Sequence, residues 1–242
     1  MHYSRIIPVL LLENESLVKG KKFKKHNYVG CPINAVKILN EKEVDELIIL
    51  DISTSKNGVN YTKLEEIVSE SFMPIGYGGG ISDLNQIDRL LDIGIEKIAI
   101  NTELYKNPEF VRSAVARFGS STIIGVIDIK RNFFGKELCY TNNGKTKTKY
   151  TLEKSIRLLN DLRVGEILVN DIDRDGTFSG LNLNLIEVLN SQSNSPYIIA
   201  GGAKDYDDIN NAIVKGAHSV GASSCFVYQG KYNAVLINYP KI

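Results

Sequence analysis

The chain has 242 residues, 43% of them hydrophobic, and a formal net charge of +1. That balance supports an ordinary globular core and argues against general nucleic-acid binding, which needs a basic surplus. Three cysteines far apart (Cys31, Cys139, Cys225) make neither a disulfide framework nor a CxxC metal site, as expected in a reducing cytoplasm. Arg5 leads into an apolar strand with no cleavable signal pattern, and no apolar run reaches membrane-spanning length.

In chain order, the first strand runs from about Ser4 to Leu12 and is apolar on both faces, as in a parallel sheet. Asn14 to Gly30 follows, carrying Lys19, Lys21, Lys22, Lys24 and Lys25. It reads as a long loop too basic to pack, either solvated and mobile or a lid over an anion. Pro32 suits the first position of a helix that turns Ala35, Val36 and Leu39 inward. The second strand ends at Asp51, and a helix follows over roughly Tyr61 to Glu70. The third ends in Tyr77-Gly78-Gly79-Gly80, where glycines let backbone amides approach an anion and Ser82-Asp83 can cap the next helix. The fourth ends at Asn101-Thr102, and Asn107-Pro108 opens its helix.

The fifth strand ends in Asp128-Ile129-Lys130-Arg131, and Phe133 to Lys149 reads as a short hairpin turning at Asn142-Asn143-Gly144. A helix over about Leu152 to Leu162 leads to the sixth strand, which ends in Asp171-Ile172-Asp173-Arg174-Asp175-Gly176-Thr177. Three carboxylates at a buried strand end are costly unless something binds there. A helical pattern resumes near Leu183, the seventh strand runs from Pro196 into Gly201-Gly202, and the eighth ends at Ser223-Ser224.

These strand ends repeat. Asp51 recurs as Asp171, 120 residues on; Gly80 as Gly202 and Asn101-Thr102 as Ser223-Ser224, 122 residues on; and the run ending at Leu11 as the run ending at Asp128, 117 residues on. Two copies of a four-strand unit predict an α/β fold, a single-domain (βα)8 TIM barrel built from half-barrels of about 1–120 and 121–242. The loops after strands seven and eight are the usual phosphate site of such a barrel, and the repeat puts a second one opposite. A small molecule with a phosphate at each end is the expected ligand.

Two look-alikes fail. Gly144-Lys145-Thr146 would need a glycine where Cys139 stands to close a P-loop, and Asp171-x-Asp173-x-Asp175-Gly176 ends an EF-hand count on Asn182 instead of Glu. The histidines are His2, His26 and His218, none at an expected C-terminal strand end, so neither a histidine triad nor a histidine-ligated metal is expected. No metal and no cofactor are expected.

The chain resembles the cyclase subunit of imidazole glycerol phosphate synthase over nearly its whole length. Leu17-Val18-Lys19-Gly20, Asp45-Glu46-Leu47, Gly78-Gly79-Gly80-Ile81, Asp128-x-Lys130-Arg131 and Asp173-Arg174-Asp175-Gly176-Thr177-x-Ser179-Gly180 carry the likeness. The resemblance implies a heterodimer with a glutaminase docked at the N-terminal face. Ammonia from that partner would enter a charged gate of Arg5, Glu46, Lys97 and Glu166, with Glu96 as a partner contact. It implies that Lys19 closes over the ligand, that Asp51 borders it, that Gly80, Asn101 and Thr102 hold one phosphate, and that Asp175, Gly176, Gly202, Ser223 and Ser224 border the other.

Chemistry in that family rests on two aspartates at the ends of strands one and five. Asp128 matches the second, but the first falls on Leu11, which cannot move a proton. Losing a positioned acid or base costs about a hundred- to ten-thousandfold in rate. Tyr28 to Val36, Asn40 to Leu47 and the ending Ala234 to Pro240 are similar to relatives encoded with surface-polysaccharide genes, which usually carry leucine at that strand-one position. That branch implies passage of ammonia towards a separate sugar amidotransferase that builds acetamidino sugars. The competing expectations are a genuine cyclase, a non-catalytic scaffold that activates the glutaminase, and, more weakly, the sibling barrel isomerase.

Overall fold

The computed structural model describes residues 4–133 and 135–239. Eight parallel strands close on themselves: β1 (Arg5–Glu13), β2 (Leu47–Asp51), β3 (Ile75–Gly78), β4 (Lys97–Ile100), β5 (Ile123–Arg131), β6 (Glu166–Asp171), β7 (Tyr197–Ala200) and β8 (Ser219–Ala222). Each pairs with the next, and β8 pairs back onto β1, from Arg5 opposite Ser219 to Pro8 opposite Ala222. The expected TIM barrel is therefore the observed fold.

Seven helices follow the first seven strands: α1 (Pro32–Glu41), α2 (Tyr61–Ser69), α3 (Leu84–Asp92), α4 (Pro108–Phe118), α5 (Leu152–Leu162), α6 (Asn184–Gln192) and α7 (Tyr206–Val214). Their starts are written in the sequence. Pro32 and Pro108 stand at first helical positions, and Asn60, Asp83, Asn107, Thr151 and Asp205 each accept a backbone N–H of the first turn. Among the described residues no helix is long and apolar enough to cross a membrane.

Period-two alternation sorts the strand side chains into two cores. Outward residues such as Ile6, Leu10, Ile49, Ile127 and Val169 pack under the helices, whereas Ile7, Val9, Ile48, Ala99, Ile124, Val126, Leu168, Ile198 and Ala200 fill the interior. The same alternation stacks residues vertically. Arg5, Ile7, Val9 and Leu11 climb the wall of β1 from floor to mouth, and Glu166, Leu168 and Asn170 climb that of β6.

Two expectations are corrected. Asn14 to Gly30 is not a loop: Ser16–Lys21 and Lys24–Gly30 form an antiparallel hairpin that continues β1, with Leu11 opposite Val18 and Leu12 opposite Leu17. Leu17 joins the outer core, Val18 is buried and Lys19 is only 4% exposed, so the segment packs despite its charge. The last β/α unit also lacks a long helix. After a single turn at Ser224–Val227 and a two-residue ribbon (Tyr228–Gln229 with Ala234–Val235), the chain returns along the outside. There the Tyr239 hydroxyl donates to the Ile6 carbonyl at 3.1 Å. The hairpin expected after β5 is present as Glu137–Thr141 and Thr146–Thr151. Its predicted start takes in Phe134, outside the described residues.

Candidate functional site

The floor of the barrel is a closed ring of four charges. Arg5 donates to Glu46 at 2.5 Å and to Glu166, while Lys97 donates to Glu46 at 2.8 Å and to Glu166 at 3.1 Å. The two carboxylates are buried and each is shared by both cations. Burial alone would lower the Arg5 pKa, but Glu166 and Glu46 outweigh it and hold the guanidinium above its usual value. Such a ring survives at the base of an apolar core because every charge has two opposite neighbours. Glu96 sits exposed beside it at the start of β4.

The other end opens into a cavity of about 670 Å³. Leu11, Lys19, Asp51, Gly80, Asn101, Thr102, Asp128, Asp175, Gly176, Gly202, Ser223 and Ser224 all line it. The residues singled out in the sequence thus gather into one site from nine separate stretches of chain. The register makes the half-repeat concrete. Leu11 lies opposite Leu50 on β2, as Asp128 lies opposite Asn170 on β6. One inner wall is therefore aliphatic and its twofold mate is polar.

Asp128 is 8% exposed, and no hydrogen bond reaches its carboxyl among the described residues. Burial, with the nearby charge of Asp175 as the smaller cause, pushes its pKa up to about 7. A carboxyl so placed can exchange a proton near neutral pH. Asp51 is likewise raised by burial, but its oxygens are engaged: Ser53 N–H and O–H donate to one at 2.9 and 2.7 Å, and the Tyr77 hydroxyl to the other at 3.3 Å. Asp171, its repeat mate, is raised by burial and accepts Asn182 at 3.0 Å and the backbone N–H of Asp173 at 3.1 Å. The EF-hand-like aspartates thus brace a turn. Asp173 adds a bond from the Arg131 backbone at 2.8 Å.

Two hairpins cover the mouth. From the first, Lys19 donates to Asp175 at 2.8 Å in a buried pair, and Lys22 N–H donates to the Asp175 carbonyl at 2.9 Å. Gly176, at φ 68°, is required there: a Cβ would stand 2.1 Å from the Gly20 carbonyl oxygen. From the second, Asn143 reaches across to donate to the Ile52 carbonyl at 3.1 Å, and Gly144 packs against Phe23 of the first. Gly144-Lys145-Thr146 is the turn of this hairpin rather than a strand-to-helix loop.

Sequence reasoning missed several lining residues. His26 lines the cavity although it lies at no C-terminal strand end, because the basic segment is a hairpin folded over the mouth. Asn142, Asn143 and Lys145 arrive the same way; Asn170, Glu103 and Lys106 were passed over. The alternation around Leu17-Val18 and the polar Asn170 two residues after Leu168 were the available signals. The helix start expected as an anion site is already satisfied. Gln86 accepts Ser82 and Asp83 N–H at 2.8 and 3.1 Å, and Asp83 accepts Asn85 N–H at 3.0 Å.

Comparison with known proteins fits this geometry. A family model described as "Histidine biosynthesis protein" matches residues 5–233. A Leptospira borgpetersenii protein is 43% identical over 240 residues, covering 98% of this chain and 94% of its own. Relatives from Pseudomonas aeruginosa (42% over 241 residues, 98% and 96% covered) and Vibrio vulnificus (41% over 242 residues, 98% and 93% covered) are similar. All three carry the provisional name imidazole glycerol phosphate synthase subunit, as HisF, hisF2 and hisF3 respectively. The chain belongs to the histidine biosynthesis protein family, as a HisF-like cyclase-subunit barrel.

Proposed function

We propose that this barrel takes ammonia from a glutaminase docked on its N-terminal face and delivers it for the amidation of a surface-polysaccharide sugar by a separate amidotransferase, and not for ring closure. The observation that carries the reading is Leu11 on the wall facing Asp128, above a complete floor of Arg5, Glu46, Lys97 and Glu166. The chemistry of the ring-closing family needs an acid or base on both walls, and here one wall is aliphatic. In this reading the paired ring opens transiently to pass ammonia, Glu96 touches the partner, Asp128 manages protons, and Lys19 with its hairpin shields the ligand from water. Asp51, Gly80, Asn101, Thr102, Asp175, Gly176, Gly202, Ser223 and Ser224 frame that ligand. The test is the purified pair of barrel and glutaminase supplied with the two-phosphate ribotide that the ring-closing enzymes use. Turnover at least a hundredfold below a normal cyclase is expected; turnover equal to one overturns the proposal.

A second reading, a genuine cyclase working through Asp128 with help from Asp175, draws support from the Asp128 pKa near 7. It predicts rescue of a histidine auxotroph lacking its own cyclase subunit. The first reading predicts no rescue despite soluble expression.

A further inference from the structure

Where β5 and β6 end, the cavity wall offers hydrogen-bond acceptors that nothing fills. Asn170 Oδ1 and Asp175 Oδ2 are buried and have no hydrogen-bond partner among the described residues. Asp128, opposite Asn170 in the strand ladder, has a carboxyl that no hydrogen bond reaches among the described residues. Asp128, Asn170 and Asp175 are 8%, 8% and 7% exposed, and all three line the cavity. A Cβ on Gly201 would come within 2.9 Å of the Asn170 oxygen, so the glycine keeps the space beside it open. The last torsion of Asn and Asp is broad, and a small rotation turns each oxygen towards the cavity.

Buried oxygens without donors are costly, and these can be satisfied only by a ligand that donates. A phosphate would add more acceptors to the same wall. Water can supply the hydrogens but leaves the charge. With Asp128 ionised, Asp128 and Asp175 set two negative charges against one lysine, Lys19, which donates to the other Asp175 oxygen at 2.8 Å. One monovalent cation balances that count. Other charged groups of the lining stand elsewhere: Asp51 is held by Ser53 and Tyr77, Glu103 pairs with Lys106, and His26 and Lys145 arrive on the two hairpins. Behind Asp128, burial raises the pKa of Tyr105 and Cys139, so both stay neutral near pH 7.

We propose that this wall is an ammonium seat: ammonia rising from the floor is protonated by Asp128 and held by Asp128, Asn170 and Asp175. The nitrogen lone pair takes the carboxyl proton, leaving ammonium beside a carboxylate; when the nitrogen is used, the carboxylate takes a proton back. Ammonium fits the wall because three of its four N–H groups meet three oxygens while the fourth points to the mouth. The transfer runs towards ammonium because its own pKa lies well above the value of about 7 to which burial brings Asp128. The inference deepens the proposed function by giving the delivered nitrogen a resting place, and rests on it for the source of that nitrogen.

The experiment follows the Asp128 side-chain carboxyl by carbon-13 NMR in the full chain without glutaminase. Ammonium chloride is titrated against potassium chloride and tetramethylammonium chloride at constant ionic strength. Saturating ammonium should lower the Asp128 pKa by about one unit or more, as an opposite charge in contact does. Potassium, without N–H donors, should bind at least tenfold more weakly, and tetramethylammonium should have no effect. Asp175→Asn and Asn170→Leu should each weaken ammonium about tenfold, the loss of one charge-assisted hydrogen bond, and Asn170→Asp, which restores an acceptor, should regain it. No saturable shift with ammonium, an equal shift with potassium, or wild-type affinity in Asn170→Leu overturns the inference. Ammonia delivery is read separately in the glutaminase-coupled assay, so failure of the seat and failure of the proposed function are told apart.

Discussion

Asp128 is held in a state that favours its reactivity over the stability of the fold. Its pKa is raised from an ordinary carboxylate value to about 7, so between roughly pH 4 and 7 the folded chain keeps a proton that the unfolded chain releases. Stability contributed by the neutral carboxyl is thus complete below the unfolded pKa and is lost as pH rises towards 7. Asp128→Asn should remove that loss. We expect it to raise thermal stability at pH 8 by on the order of a few kcal/mol and to change it little at pH 4, in melts across that range. Equal stabilisation at both pH values would mean that the carboxyl is not the titrating group. The same substitution should abolish any proton-dependent step in the cavity. Leu11 shows what could be read from the sequence: the 117-residue spacing aligns it with Asp128, and the family resemblance marks the position. The raised pKa was not legible there, because burial by residues such as Val126 and Asn170 is a property of closure.

At the scale of elements, the helices and strands were legible because caps, prolines and alternation agree with the final packing. The basic hairpin was not. Its lysines outvoted Leu17 and Val18 in any reading by composition, and only the continuation of β1 beyond Leu12 buries those two side chains. The hairpin then docks by a close backbone approach at Gly176. Gly176→Ala puts a methyl group on the Gly20 carbonyl and at a φ of 68°, and should displace the hairpin without unfolding the barrel. Trypsin cleavage after Lys21, Lys22 and Lys24 should then speed at least tenfold, with far-ultraviolet circular dichroism unchanged. Unaltered cleavage would show that Lys19 and Asp175 suffice to hold the hairpin.

For the whole molecule, duplication explains both what matches and what diverged. The floor draws Arg5, Glu46 and Lys97 from the first half and Glu166 from the second, so neither half completes the ring alone. Lys97→Met leaves two buried carboxylates with one cation, and denaturant melts should show a loss of about 1–3 kcal/mol, discounted because Lys97 is partly exposed. Arg5→Met made together with Lys97→Met should cost more than the two single losses added. Half-repeat and barrel were visible in spacing, whereas the four floor charges were singled out only through the family resemblance.

Without a long helix after β8, the cylinder's last seam is fastened by strand pairing and by Tyr239, which holds Ile6 across a sequence separation of 233. During synthesis the first strand must therefore wait, its β8-facing edge unpaired, until β8 (Ser219–Ala222) has left the ribosome. Until then that edge of the sheet is open, and the seam, built from contacts so distant in sequence, carries the largest loop-closure cost in the barrel.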